Sequence, residues 1–247
     1  MASNGRLKRG GAKNGISPPN HARAVRLSAE ITRTQWWLMK KKASAKITLN
    51  RILRVLTGKK IPFVLTGAHA IGGWTGDPRA THDVDILVKS GRNHARAVKA
   101  IRELYPQLEV RDFHGVIAFF VPGERQSVID ITYPHRGDIE DTLTSRVWVS
   151  DRGLKYRIPF LEAALANKYG AMLATNRDAG KRLQDAADFT KMVRHSTEEG
   201  QQPIDLDKLR VLGEKVWLGG GGEEILQLVE EIKQGGIVDL NALMRER

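Results

Sequence analysis

The run Asp83-Val-Asp85-Ile-Leu-Val88 restricts what this chain can become more than any other stretch of its sequence. A short apolar run bounded by polar residues reads as a buried strand. In a strand, side chains two apart leave the same face. Val84 and Ile86 therefore point into a core, while Asp83 and Asp85 project together from the opposite face. Carboxylates held side by side repel each other, and a cation between them relieves the repulsion. Mg²⁺ takes hard oxygen ligands and keeps positions for water and substrate phosphates. A third acid, Asp130, stands inside the apolar segment Ser127-Val-Ile-Asp-Ile-Thr-Tyr133, where burial is costly unless the group is paired or binds metal. Asp83, Asp85 and Asp130 are thus the expected metal ligands. Asp112, Asp138 and Asp141 occupy turn-like or polar contexts and are weaker candidates.

Around this run the elements fall into two groups. Residues 61–67 (IPFVLTG) read as a buried strand breaking into a Thr-Gly turn, and 45–58 and 93–105 read as helices. Residues 107–121 and 126–133 read as the arms of a hairpin turning at 121–124. Beyond about residue 155, helical segments dominate, at 160–175, 181–195, 206–217 and 223–234. Strands followed by a run of helices predict an α/β (α+β) fold: a short mixed sheet flanked by helices, then a C-terminal helical region closing one side of a cleft. The domains are expected at 45–150 and 151–247. Gly219–Gly222 reads as a flexible link, lacking the lysine and hydroxyl of a phosphate-binding P-loop.

Composition removes several chemistries. Without cysteine there is no disulfide, thiolate zinc site or cysteine nucleophile. No apolar run has the length of a membrane helix, and no secretory signal is legible, so a cytoplasmic protein is expected. The net charge of +12 is unevenly placed: residues 1–60 hold 15 Lys/Arg against Glu30 alone, and the rest hold 25 against 27 acids. Such a block reads as a tail, so residues 1–44 are expected to be a basic, disordered leader. The segment from Met39, MKKKASAKITLNRIL, has the look of a bacterial start, and translation is expected to begin there. A nucleic-acid-binding tail and an organelle-targeting peptide are the rival readings.

An apolar strand, a glycine turn, an Asp-h-Asp strand (h apolar) and a later acid together resemble the DNA polymerase β superfamily of nucleotidyltransferases, over about residues 60–195. Gly67-Ala-His-Ala70 with Arg79-Ala-Thr81-His-Asp83-Val-Asp85 resembles the AbiEii-type toxin branch, as do Lys168 and Arg182-Leu-Gln-Asp185-Ala-Ala-Asp188. The resemblance implies a nucleotidyltransferase fold and transfer of a nucleoside monophosphate from an NTP, with two Mg²⁺ ions, replaceable by Mn²⁺, on Asp83, Asp85 and Asp130. It implies that Gly67 and Ala68 hold the triphosphate and that Lys168 neutralises developing charge. One of Asp185 and Asp188 would position nucleotide or acceptor, or act as a base. The implied acceptor is a tRNA or other RNA end, a protein or a small molecule, with a cognate antitoxin as partner on the toxin reading. Ala68 departs from the serine or glycine frequent at its position, so only backbone amides remain there for a phosphate.

The residues alone leave other readings open. Lys168 shares a helical stripe with Leu161, Ala164, Leu165 and Met172, where snorkelling is common. Asp185 and Asp188, three apart, suit a solvated face pairing with Lys181 and Lys191. Arg79 either contacts phosphate or acceptor, or pairs with Asp77; Thr81 supports the turn. His69 and His82 read as structural and Trp74 as core. The reading from a different class is a non-catalytic nucleic-acid-binding or antitoxin-like protein with a degenerate nucleotidyltransferase domain.

Overall fold

The computed structural model of the chain describes residues 20–245, apart from 90, 114, 135 and 136. Its strands β1 (Phe63–Leu65), β2 (Val84–Val88), β3 (Glu109–Phe113), β4 (Val116–Phe120), β5 (Ser127–Thr132), β6 (Val147–Asp151) and β7 (Leu154–Ile158) form one mixed sheet. The order is β3-β4-β5-β2-β1-β7-β6. β2 runs antiparallel to β1 and parallel to β5, and β7 lies parallel to β1. The helices are α1 (His21–Leu38), α2 (Leu49–Gly58), α3 (Gly67–Thr75), α4 (Arg92–Leu104), α5 (Gly137–Thr142), α6 (Leu161–Leu173), α7 (Ala179–Ser196), α8 (Leu206–Val216), α9 (Gly221–Lys233) and α10 (Leu240–Arg245). The expected α/β class, with a mixed sheet flanked by helices and a C-terminal helical region, is what the chain adopts.

Two apolar clusters divide the interior. One joins α1, α2 and α4 to the sheet through Ile52, Leu56, Ile86, Ile101, Phe119 and Ile129. The other lies among the C-terminal helices around Tyr169, Phe189, Met192 and Ile225. Helix α3 belongs to both, giving Ala70 to the first and Ile71 and Trp74 to the second. Ile71 and Ala164 of the second cluster also line the cleft.

Four expectations change. Residues 21–38 are not a leader: they form α1, started by Asn20, whose side chain accepts from the Arg23 amide, and they bury Ala24, Val25, Ser28, Thr32 and Trp36. Residues 1–19 of the expected leader lie outside the described residues. The boundary expected at 150/151 falls inside β6, because β6 and β7 extend the same sheet. Residues 107–121 are themselves two strands, β3 and β4, with Gly115 between them at φ 84°, in the left-handed region that favours glycine. Gly221 and Gly222 are not a flexible link but the first turn of α9. A Cβ on Gly221 would lie 2.3 Å from the Gly213 carbonyl oxygen, so glycine is what lets α8 and α9 approach.

Burial also sets an acid limit. His21 lies edge-on to Trp74, ring centroids 4.3 Å apart, with Nδ1 buried and unpartnered. Burial lowers its pKa to about 4; His69 is likewise held at about 4, by burial first, with Asp83 raising it and Arg79 lowering it. The unfolded chain therefore binds more protons than the folded one between pH 6.5 and 4. Stability present above pH 6.5 is lost as pH falls through that window, by ~2 kcal/mol at pH 5 for each histidine. His21→Phe keeps an aromatic ring and removes one titration. Urea denaturation at pH 7 and pH 5 should show a smaller loss in the variant than in the wild type; equal losses would rule His21 out as a source.

Candidate active site

The register of the sheet builds the acidic centre. Asp85 on β2 and Asp130 on β5 are direct partners across a parallel pair, and Val84 and Ile86 face the core as the alternation requires. Asp83 stands just before β2, where Thr81 Oγ1 donates to its Oδ1 at 2.8 Å. Each of the three carboxylates offers an oxygen within 4.8 Å of the others. Gly67, at φ 63°, opens α3 against them: a Cβ there would fall 1.8 Å from Asp85 Oδ2. No side chain caps the N-terminus of α3, so its first amides stay available near the acids.

Two of the acids, Asp85 and Asp130, are poorly compensated. Burial, then the charges of Asp83 and Asp130, push the Asp85 carboxyl well above the usual carboxylate range, against Lys168 and Arg177. Burial and Asp83 raise Asp130 to about 6, opposed by a Ser127 hydrogen bond and by Lys181 and Arg177. Asp130 Oδ1 is buried without a hydrogen-bond partner. An orphaned carboxylate oxygen, two like-charged neighbours and an all-oxygen donor set fit a hard divalent cation.

A second set of charges, built on two buried carboxylates, flanks the first. Lys168 on α6 reaches Asp185 Oδ1 at 2.8 Å and Asp188 Oδ2 at 2.7 Å, both on α7. Arg79 donates to both Asp188 oxygens, at 2.9 and 2.7 Å, and Arg177 Nε donates to Asp185 at 2.6 Å. Burial works against the charge on Asp188, yet the Arg79 hydrogen bond and the charges of Lys168 and Arg79 hold its carboxyl below the usual range. Asp185 and Asp188 are therefore not on a solvated face with Lys181 and Lys191. Arg79 pairs with Asp188 rather than Asp77, which Lys191 takes. Lys168 neither snorkels nor stands free: two carboxylates hold its ammonium inside the cleft.

Gly67, Ala68, Arg79, Thr81, Asp83, Asp85, Asp130, Lys168 and Asp185 all line one open cavity of about 1120 Å³. Asp188 supports it from behind. His69 is buried against Ser28, Trp74 donates from Nε1 to the Pro159 carbonyl at 3.0 Å, and His82 lines the cavity. Arg125, Arg177 and Gln184 also line the cavity and were not singled out from the sequence, and Lys181, read there only as a surface partner of Asp185 and Asp188, lines it too. All four lie outside the strand-and-turn pattern that marked the acids, and nothing in their local sequence distinguishes them.

No family model matches the chain, and no curated protein does. Solved structures offer distant likenesses. An antigenic nucleotidyltransferase-like protein from Paracoccidioides brasiliensis is 16% identical, TM-score 0.44, over 83% of this chain and 94% of that one. The antibiotic-resistance factor ANT(2'')-Ia is 13% identical, TM-score 0.44, over 66% and 86%. JHP933 from Helicobacter pylori is 17% identical, TM-score 0.41, over 75% and 88%.

Proposed function

We propose that the chain transfers a nucleoside monophosphate from an NTP to an acceptor hydroxyl or phosphate, releasing pyrophosphate. The observation that carries this reading is the convergence of Asp83, Asp85 and Asp130 at one end of an open cleft, with Asp130 Oδ1 buried and unpartnered. Asp83 and Asp85 would hold two Mg²⁺ ions between them, and Asp130 would complete the site on the acceptor side. Bound there, the ions would neutralise charge on the attacking and leaving oxygens of an in-line displacement. Thr81 orients Asp83 through its hydroxyl. Gly67 and Ala68, at the start of a nine-residue helix, line the cleft, and their amides would serve as donors for phosphate oxygens. Lys168, fixed by Asp185 and Asp188, adds positive field at the acids without being free to swing onto substrate. The resemblance of the 67–70 and 79–85 segments to the AbiEii-type branch directs the acceptor search to tRNA ends first. It also suggests a cognate antitoxin as partner; protein and small-molecule acceptors come next.

The test uses the full chain. It is incubated with each α-labelled NTP, Mg²⁺ or Mn²⁺, total RNA and lysate protein, beside a variant carrying both Asp83→Ala and Asp85→Ala. Label on a discrete RNA or protein band, absent with the folded double variant, is the expected result and names the acceptor class. Label that survives in the variant would overturn the assignment. Salt-dependent nucleic-acid binding by both proteins, with no label from any nucleotide, would favour the non-catalytic reading instead.

A further inference from the structure

Ser28 and Thr32 sit one helical turn apart on α1, almost wholly buried at 0% and 3% exposure. A hydroxyl contributes less than a methyl group to an apolar core and must be hydrogen-bonded to be tolerated there. Both hydroxyls are spent on one segment, residues 79–81. Ser28 Oγ donates to the Arg79 carbonyl at 2.6 Å, and Thr32 Oγ1 accepts from the Thr81 amide at 3.0 Å. Ser28 also lies 2.8 Å from His69 Nδ1. Its one proton is committed to a carbonyl that can only accept, so His69 must donate, which fixes that ring as the Nδ1–H tautomer.

The segment these hydroxyls hold feeds both halves of the site. Thr81 Oγ1 fixes Asp83, and the Arg79 guanidinium grips Asp188, which in turn holds Lys168. We propose that Ser28 and Thr32 are positioning residues of the acidic centre: through the 79–81 backbone they set where Asp83 and the Arg79–Asp188–Lys168 chain stand. This rests on the metal reading of Asp83, Asp85 and Asp130. Helix α1 then belongs to the active site as well as to the core.

Mn²⁺ affinity of the full chain, read by electron paramagnetic resonance of the free ion, tests this alongside thermal melting. Thr32→Val keeps the shape and removes the acceptor from the Thr81 amide. It should weaken Mn²⁺ binding about five- to tenfold, as loss of one buried hydrogen bond transmitted to a ligand would. Thr32→Ser keeps the hydroxyl and should return affinity to within about twofold. Val25→Ala, a packing loss elsewhere on α1, should lower the melting temperature while leaving Mn²⁺ affinity at the wild-type value. Wild-type affinity in Thr32→Val, or an equal loss in Val25→Ala, would overturn the positioning role alone. Failure of the wild-type chain to bind Mn²⁺ would overturn the metal reading, and this proposal with it.

Discussion

Gly67→Ala should abolish Mn²⁺ binding and nucleotidyl transfer while lowering the melting temperature by only a few degrees. The added methyl would fall 1.8 Å from Asp85 Oδ2, 2.6 Å from its Cγ and 3.0 Å from its Cβ, so the carboxylate must swing away. Rotation of the side chain clears Oδ2 and Cγ at modest cost to the fold, while Asp85 Cβ, fixed to β2, must give by a few tenths of an ångström. The rotation is costly for the site, because Asp85 is the carboxylate registered against Asp130. Position 67 also sits at φ 63°, and a residue with a Cβ pays ~1–2 kcal/mol for the left-handed conformation. In a chain of this size ~1 kcal/mol shifts melting by roughly 2–4 °C. Paired measurements of melting and Mn²⁺ affinity therefore separate the two effects. Unchanged affinity and activity in a variant that folds would mean Asp85 is not where the ion binds, and the proposed chemistry would fall with it.

The acids were legible because period-two alternation and the cost of burying a lone carboxylate are local properties. Val84, Ile86, Ile129 and Ile131 mark the core face, and Asp85 and Asp130 are what remains on the other. The partner of Arg79 was not legible. Asp77 lies two residues away and Asp188 lies 109, and only the packing of α7 against α3 brings the distant one within reach. Helix α1 was hidden for another physical reason. Its buried stripe runs through His21, Ala24, Val25, Ser28, Thr32 and Trp36, of which only Val25 and Trp36 are large apolar residues. Hydropathy counts a buried serine or threonine as polar, so a helix held by directional hydrogen bonds shows no apolar period. The basic residues Arg23, Arg26 and Arg33 then give the segment the look of a tail.

Residues 39–247 alone should fail to fold to the native state, giving a broad, early thermal transition and weak near-ultraviolet dichroism. Removing α1 strips the core of Trp36 and Val25, each 3% exposed, and Ala24 at 6%. Truncating one buried aromatic to alanine costs about 3–5 kcal/mol, and the whole margin of a native domain is about 5–15 kcal/mol. Polar groups suffer as well: Ser28 and Thr32 leave with the helix, so the Arg79 carbonyl, the Thr81 amide and His69 Nδ1 lose their partners. Each orphaned group costs ~1–3 kcal/mol if it stays buried. If it takes up water instead, the 79–81 segment moves, and Asp83 and Arg79 move with it. The shorter chain should therefore lose Mn²⁺ binding even under conditions that stabilise it. A cooperative transition within a few degrees of the full chain's, with Mn²⁺ bound as tightly, would instead return α1 to the role of a dispensable leader and make Met39 a sufficient start for both fold and site.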